Sequence, residues 1–211
     1  MFISILAIVW LLLIVIWAFY QLKQFYKFSQ EDNVGLVTTN LNNIKSILDQ
    51  IIQKQQKTSN QNTSYFIELG SGRGIISNYI SKNYLFKKVI AIENDWLIHT
   101  WAKITHFINY LINYLIKTKL FKHKNFKTNS SSSQINYVNH SVFDYDYNSL
   151  NGKKIFYCYL FPQILDKLYK RGVFKNSIVI SLSFEITNLE ATEVFDIPDG
   201  FLQKKLFVYE F

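Results

Sequence analysis

YFIELGSGRGII, residues 65–76, is the stretch that decides the fold. A short apolar run ends around the acid Glu68, glycines follow at every second position (Gly70, Gly72, Gly74), and an apolar helical start comes next. That order predicts a strand, a tight turn and a helix opening, the unit by which a parallel α/β sheet brings backbone amides against a nucleotide-like ligand. A dinucleotide fingerprint, G-x-G-x-x-G, would need its third glycine where Ile75 stands, and here an acid precedes the glycines. The spacing therefore favours S-adenosylmethionine over a nicotinamide dinucleotide, and a methyltransferase over a dehydrogenase.

Working outward from the turn gives the candidate site. Gly70, Ser71 and Gly72 are expected to cradle the amino-acid part and ribose of the cofactor, because a larger side chain would push them away. Gly74 is expected to let the next helix pack closely, and Glu68 to accept from the cofactor's ammonium. Glu93 stands 19 positions after Gly74 (93 − 74), at the end of a predicted strand over 88–92, where an acid can take both ribose hydroxyls. Asn94 follows on the adenosine side. After a predicted strand over 135–138, Ser141 and Val142 are expected to receive the adenine. A strand predicted over 154–160 ends at the place where an acceptor must arrive, so Tyr159 and Pro162 are the candidate catalytic residues. Methyl transfer from a sulfonium needs an in-line approach by a neutral nucleophile, and positioning therefore counts for more than acid–base chemistry. Cys158, pointing away from its tyrosine neighbours, is expected to be buried and inert.

The rest of the chain supplies the frame. Leu41, Ile44, Leu48, Ile51 and Ile52 recur at three-and-four spacing and predict a packing helix over 39–54. A long helix is expected from Trp96, its stripe of Trp96, Leu97, Trp101, Ile104, Ile108, Leu111 and Leu115 reading as core. Residues 117–134 turn to Lys, Asn and Ser and read as a flexible basic insertion. Three β-rich runs, over 177–183, 191–195 and 206–211, close the chain. They predict an antiparallel hairpin on an otherwise parallel sheet of seven strands, a Rossmann-like α/β fold.

At 211 residues the chain holds one sizeable α/β domain and a short appendage. The appendage is amino-terminal. Residues 1–20 carry no charged side chain, Trp17 and Tyr20 fall where an interfacial aromatic belt would lie, and Lys23 and Lys27 follow. This predicts a transmembrane anchor over 1–22, a juxtamembrane linker over 23–38 and a catalytic domain over 39–211 on the cytoplasmic (or matrix) face. The net charge of +8 comes almost wholly from lysine, with Arg73 and Arg171 the only arginines, which disfavours nucleic acid as a partner and favours solubility or attraction to an anionic membrane surface. One cysteine excludes an intramolecular disulfide, and four scattered histidines predict no metal site.

With these residues in view, ELGSGRG at 68–74 and AIEND at 91–95 make the chain resemble the class I, seven-stranded S-adenosylmethionine-dependent methyltransferases. The anchor, the Trp-bearing stretch 96–101 and YLFPQILDKL at 159–168 are similar, more narrowly, to small single-span bacterial proteins. Those are related to mitochondrial lysine methyltransferases of the ATP synthase c subunit and the adenine nucleotide carrier. That resemblance implies methyl transfer to a lysine amine of a membrane or membrane-adjacent protein. Methylation of a small lipophilic acceptor, or a non-catalytic role as a subunit of a membrane complex, are the alternatives. Ser141 stands where the superfamily often has an acid.

Overall fold

In the computed structural model, residues 10–12, 14–20, 22, 40–58, 64–120, 133–199 and 202–211 are described. The chain divides into two compact units, Met1–Val37 and Thr38–Phe211. In the first, residues 10–12, 14–20 and 22 are helical, with Trp10, Leu11, Ile16, Trp17 and Phe19 exposed. The expected membrane span over 1–22 falls partly, and the linker over 23–38 wholly, outside the described residues. Among the described residues, no helix is long and apolar enough to cross a membrane.

The second unit alternates strands and helices as the local patterns predict. Helix α1 is Leu41–Thr58, β1 Tyr65–Leu69, α2 Ile75–Asn83, β2 Lys88–Ile92, α3 Trp96–Leu120 and β3 Ile135–Val138. A 3-10 turn at Tyr147–Ser149 precedes β4 Lys154–Cys158, α4 Pro162–Lys170, β5 Ser177–Leu182, β6 Glu193–Asp199 and β7 Leu202–Glu210. The sheet runs β3-β2-β1-β4-β5-β7-β6, parallel through its first five strands and antiparallel where β7 meets β5 and β6. Strands covered on both faces must be apolar on both, and β1 and β5 are buried at every position.

Alternation along the strands sorts the core into two faces. Ile44, Leu48, Ile51 and Ile52 of α1 and Ile76 and Ile80 of α2 meet Phe66, Val89, Ile155 and Ile180 in one cluster. Tyr79 and Tyr84 both donate to the Asp49 carboxylate, joining α1 to α2 and to the chain just after it. On the opposite parity, Phe156 packs edge-on against Tyr147 and Phe174.

Helix α3 overturns one expectation. Its stripe has core spacing, yet Trp96, Leu97, Trp101, Ile104, Ile108 and Leu111 are all exposed, and Ala102 and His99 are its buried residues among those whose side chains are described. The reason is the neighbour: α3 lies at β3, a four-residue edge strand itself only half-buried, which cannot cover a 25-residue helix. The helix also runs on to Leu120, into the segment expected to be a flexible insertion, while 121–132 fall outside the described residues. At the far end of that segment Ser133 is fixed: its hydroxyl accepts from Phe86 N (2.7 Å) and donates to Tyr84 O (2.8 Å).

Candidate functional site

Strand register assembles the site. Leu69 pairs with Ile92 on one side and Cys158 on the other, Ile92 pairs with Val138, and Cys158 with Ser181. The next residue on each of the first four chains is Gly70, Glu93, Asn139 and Tyr159, so residues far apart in sequence share one carboxyl edge. The sheet reverses its winding between β1 and β4, where open α/β sheets hold their ligands.

The glycine turn is left-handed three times over, with φ of 68° at Gly70, 53° at Gly72 and 67° at Gly74. Space is as tight as conformation. A Cβ on Gly70 would stand 3.0 Å from Leu160 Cδ2, and one on Gly74 would stand 2.8 Å from Tyr137 Cε1. Ser71 N donates to Ile92 O (2.8 Å) and Gly74 N to Ser71 O (2.8 Å), which ties the turn to the tip of β2.

Glu93 is held before any ligand arrives. One carboxylate oxygen accepts from Gly72 N (2.9 Å), the other from Asp95 N (2.8 Å). Asn139 donates its amide to Glu93 O (2.8 Å) and Asn94 O (3.2 Å), so the first residue after β3 clamps the loop after β2. Ser71 Oγ is buried without a hydrogen-bond partner. A buried polar atom of this kind lacks something, and a polar ligand in the turn would supply it. The residues present therefore fit an S-adenosyl group: a turn free of side-chain bulk at its glycines, an oriented acid and an unsatisfied hydroxyl.

Glu68 reaches back to the helix that follows the turn. It is 5% exposed, and its Oε2 accepts from both Ser77 N (2.9 Å) and Ser77 Oγ (2.5 Å), binding β1 to the first turn of α2. Burial pushes its carboxyl up to about 7, against the two Ser77 donors that favour the charged form. A folded-state pKa above the unfolded one stabilises the protein below about 4.5, and that contribution is lost as pH rises through about 7. Comparing chemical denaturation at pH 4.5 and pH 8, Glu68→Gln is expected to remove about 3 kcal/mol of the wild type's loss.

The remaining predicted residues occupy separate places. Ser141 Oγ accepts from Phe143 N (3.2 Å) and Val142 O accepts from Tyr147 OH (2.7 Å), so both make their described contacts within their own loop. Asn94 is exposed. Tyr159 is half-buried just past β4, its ring 5.9 Å from Phe184, which lies 5.3 Å from Phe161. Pro162 opens α4, preceded by Phe161 in extended conformation (ψ 152°), and its fixed φ suits that first position. Cys158 is wholly buried, donates to Ile180 O (3.7 Å), and has its thiol pushed up to about 12 by burial. Among the described residues, no group of three or more His, Cys, Asp or Glu is placed to hold a metal ion.

Sequence reading missed Phe184, whose carbonyl accepts from Ser181 Oγ (2.6 Å), because nothing local marks a residue that arrives from beyond β5. It also missed that Leu160, just past β4, and Tyr137, on β3, wall the glycine turn.

No protein-family model matches the chain, and no curated sequence matches it. Solved structures do. An RNA methyltransferase from Salinibacter ruber, crystallised with S-adenosyl-L-homocysteine, superposes at TM-score 0.53 with 16% identity, over 82% of this chain and 93% of that one. The fold is the seven-stranded methyltransferase fold. The METTL16 methyltransferase domain matches at 0.55 with 10% identity over 83% and 70%. The amino-terminal domain of human METTL16 in complex with SAH matches at 0.52 with 12% identity over 83% and 72%. At 10–16% identity the likeness shows the fold alone, and nothing in it supports the narrower resemblance to the membrane-anchored lysine methyltransferases.

Proposed function

We propose that this chain is an S-adenosylmethionine-dependent methyltransferase. The observation that carries the reading is the left-handed Gly70–Gly74 turn at the winding switch of a 3-2-1-4-5-7-6 sheet, facing a Glu93 already oriented by Gly72 N. Bound there, S-adenosylmethionine supplies an electrophilic methyl carbon on a sulfonium. Gly70, Ser71, Gly72 and Gly74 cradle its amino-acid end, with Ser71 Oγ as a hydrogen-bonding partner. Glu93 takes the ribose hydroxyls, Asn94 lies beside them, and Ser141 and Val142 edge the adenine. Glu68 accepts from the cofactor's ammonium and fixes the turn through Ser77.

Tyr159 orients the acceptor, and Pro162 sets the loop that carries it. For the acceptor, a lysine amine fits the rim: Lys204 Nζ already lies 5.7 Å from the centroid of the Tyr159 ring, the arrangement in which an aromatic face attracts an ammonium. The amine would shed its proton to solvent and be held as the neutral nucleophile beside the Tyr159 ring. With the uncharged amino-terminal segment, the acceptor is a membrane or membrane-adjacent protein. A second reading takes the same rings as a stacking surface for a base, as the Salinibacter ruber enzyme's action on RNA suggests.

Incubating the protein with methyl-labelled cofactor, membranes and RNA decides between them. Label in a membrane polypeptide supports the first reading, label in RNA the second, and label in a lipid extract a small lipophilic acceptor. No label together with no heat on titration with S-adenosylhomocysteine would overturn the methyltransferase reading. Glu93→Gln, which keeps the shape and removes the charge, is expected to weaken that titration about 10- to 100-fold, the worth of hydrogen bonds to a charged group.

A further inference from the structure

The last glycine of the turn is gripped from behind. A Cβ on Gly74 would stand 2.8 Å from Tyr137 Cε1 and 3.1 Å from its hydroxyl oxygen, so the ring from β3 fills the space beside Gly74. A second hold is on the backbone, where Asn78 N donates to Gly74 O (2.9 Å). The Asn78 side chain joins the two. Its Nδ2 donates to Tyr137 OH (3.3 Å), and its Oδ1, an acceptor only, accepts from His106 Nδ1 (2.7 Å). The His106 ring lies 5.6 Å from the ring of Tyr137. Three elements thus converge on one glycine: β3 through Tyr137, α2 through Asn78 and α3 through His106.

Stability alone does not call for this arrangement. Tyr137, Asn78 and His106 are each half-buried, and every residue of β3 is half-buried as well. Hydrogen bonds at such places add little net stability, yet they fix the direction of the groups they join. What they fix here is a ring pressed against the turn.

We infer that Tyr137 is a positioning residue for cofactor binding: held by Asn78 and His106, its ring sets Gly74 and with it the course of the turn. The inference rests on the methyltransferase reading of that turn. Gly74 N donates to Ser71 O (2.8 Å), and Gly72, between them, orients Glu93 through its own N–H (2.9 Å). A displaced Gly74 therefore disturbs the buried Ser71 hydroxyl and the acid together. Support of this kind, supplied by side chains that are themselves fixed, is what keeps a binding site in one geometry.

Titration of the full-length protein with S-adenosylhomocysteine, beside thermal melts, tests this. Tyr137→Ala is expected to weaken binding about tenfold, and Tyr137→Phe, which keeps the ring against Gly74, to bind within about threefold of the wild type. Gly74→Ala is expected to weaken binding about 30-fold by itself but only about threefold when added to Tyr137→Ala, because the ring its methyl group would meet is gone. Asn78→Ala, which frees the ring, is expected to cost about threefold and carries the test if Tyr137→Ala does not fold. A residue that only packs would lower the melting temperature and leave the dissociation constant unmoved. Wild-type affinity in Tyr137→Ala or in Asn78→Ala, Tyr137→Phe as weak as Tyr137→Ala, or losses that simply multiply in the double variant would overturn the inference and leave the methyltransferase reading standing. No heat with the wild type would overturn both.

Discussion

Replacing Gly72 by valine is expected to weaken S-adenosylhomocysteine binding by more than about 100-fold, some 3 kcal/mol. Gly72 sits at φ 53°, a conformation in which a β-branched residue is a steric outlier, and it is buried. Its N–H also holds Glu93, so twisting the turn releases the acid at the same time. Gly172→Ala is the control. That glycine is equally left-handed at φ 72°, but nothing stands within 4 Å of its Cβ position, and it lies away from the turn. Its substitution should cost about 1–2 kcal/mol of stability through backbone strain and leave binding unchanged. Titration calorimetry beside thermal melts separates the two effects, and wild-type binding by Gly72→Val would remove the turn from the site.

Phe156→Ala is expected to cost about 3–5 kcal/mol in chemical denaturation with little change in the denaturant slope. Phe156 is fully buried in the central strand β4, between Ile67 and Val179 in the ladders. Its ring meets Tyr147 at 5.6 Å and Phe174 at 5.2 Å, both edge-on. Truncation removes the transfer energy of the ring, breaks two aromatic pairs and leaves a cavity that strands on both sides prevent from collapsing. Against a typical total of about 5–15 kcal/mol, this threatens folding at physiological temperature. A cost below about 1 kcal/mol would mean that this face of the sheet is not packed as described.

Much of the architecture is legible in the chain because its causes are local. The apolar runs at 88–92 and 135–138 become β2 and β3 at those bounds, the run that ends in Glu68 becomes β1 one residue longer, and the closing β-rich runs become β5, β6 and β7 with shifted ends. The three glycines announce a turn that few other residues could make. Position along a strand also places Glu93 and Tyr159 at the carboxyl edge before any coordinates are known. Partners are another matter. Glu68 faces Ser77 through a choice of strand face that the sequence offered no means of weighing, and Phe184 reaches Tyr159 only because β5 pairs with β4.

The chain by itself, then, determined its local units: strand, left-handed turn and helix, repeated and closed by a hairpin. Those depend on backbone sterics and on periods of 2 and 3.6, which neighbouring residues settle among themselves. Only the tertiary structure decided what each face meets. The stripe on α3 has the spacing of a core helix, and it stays in the open because β3, its support, is a short edge strand with one neighbour. Periodicity states which side chains share a face; burial depends on whether another element is there to cover it.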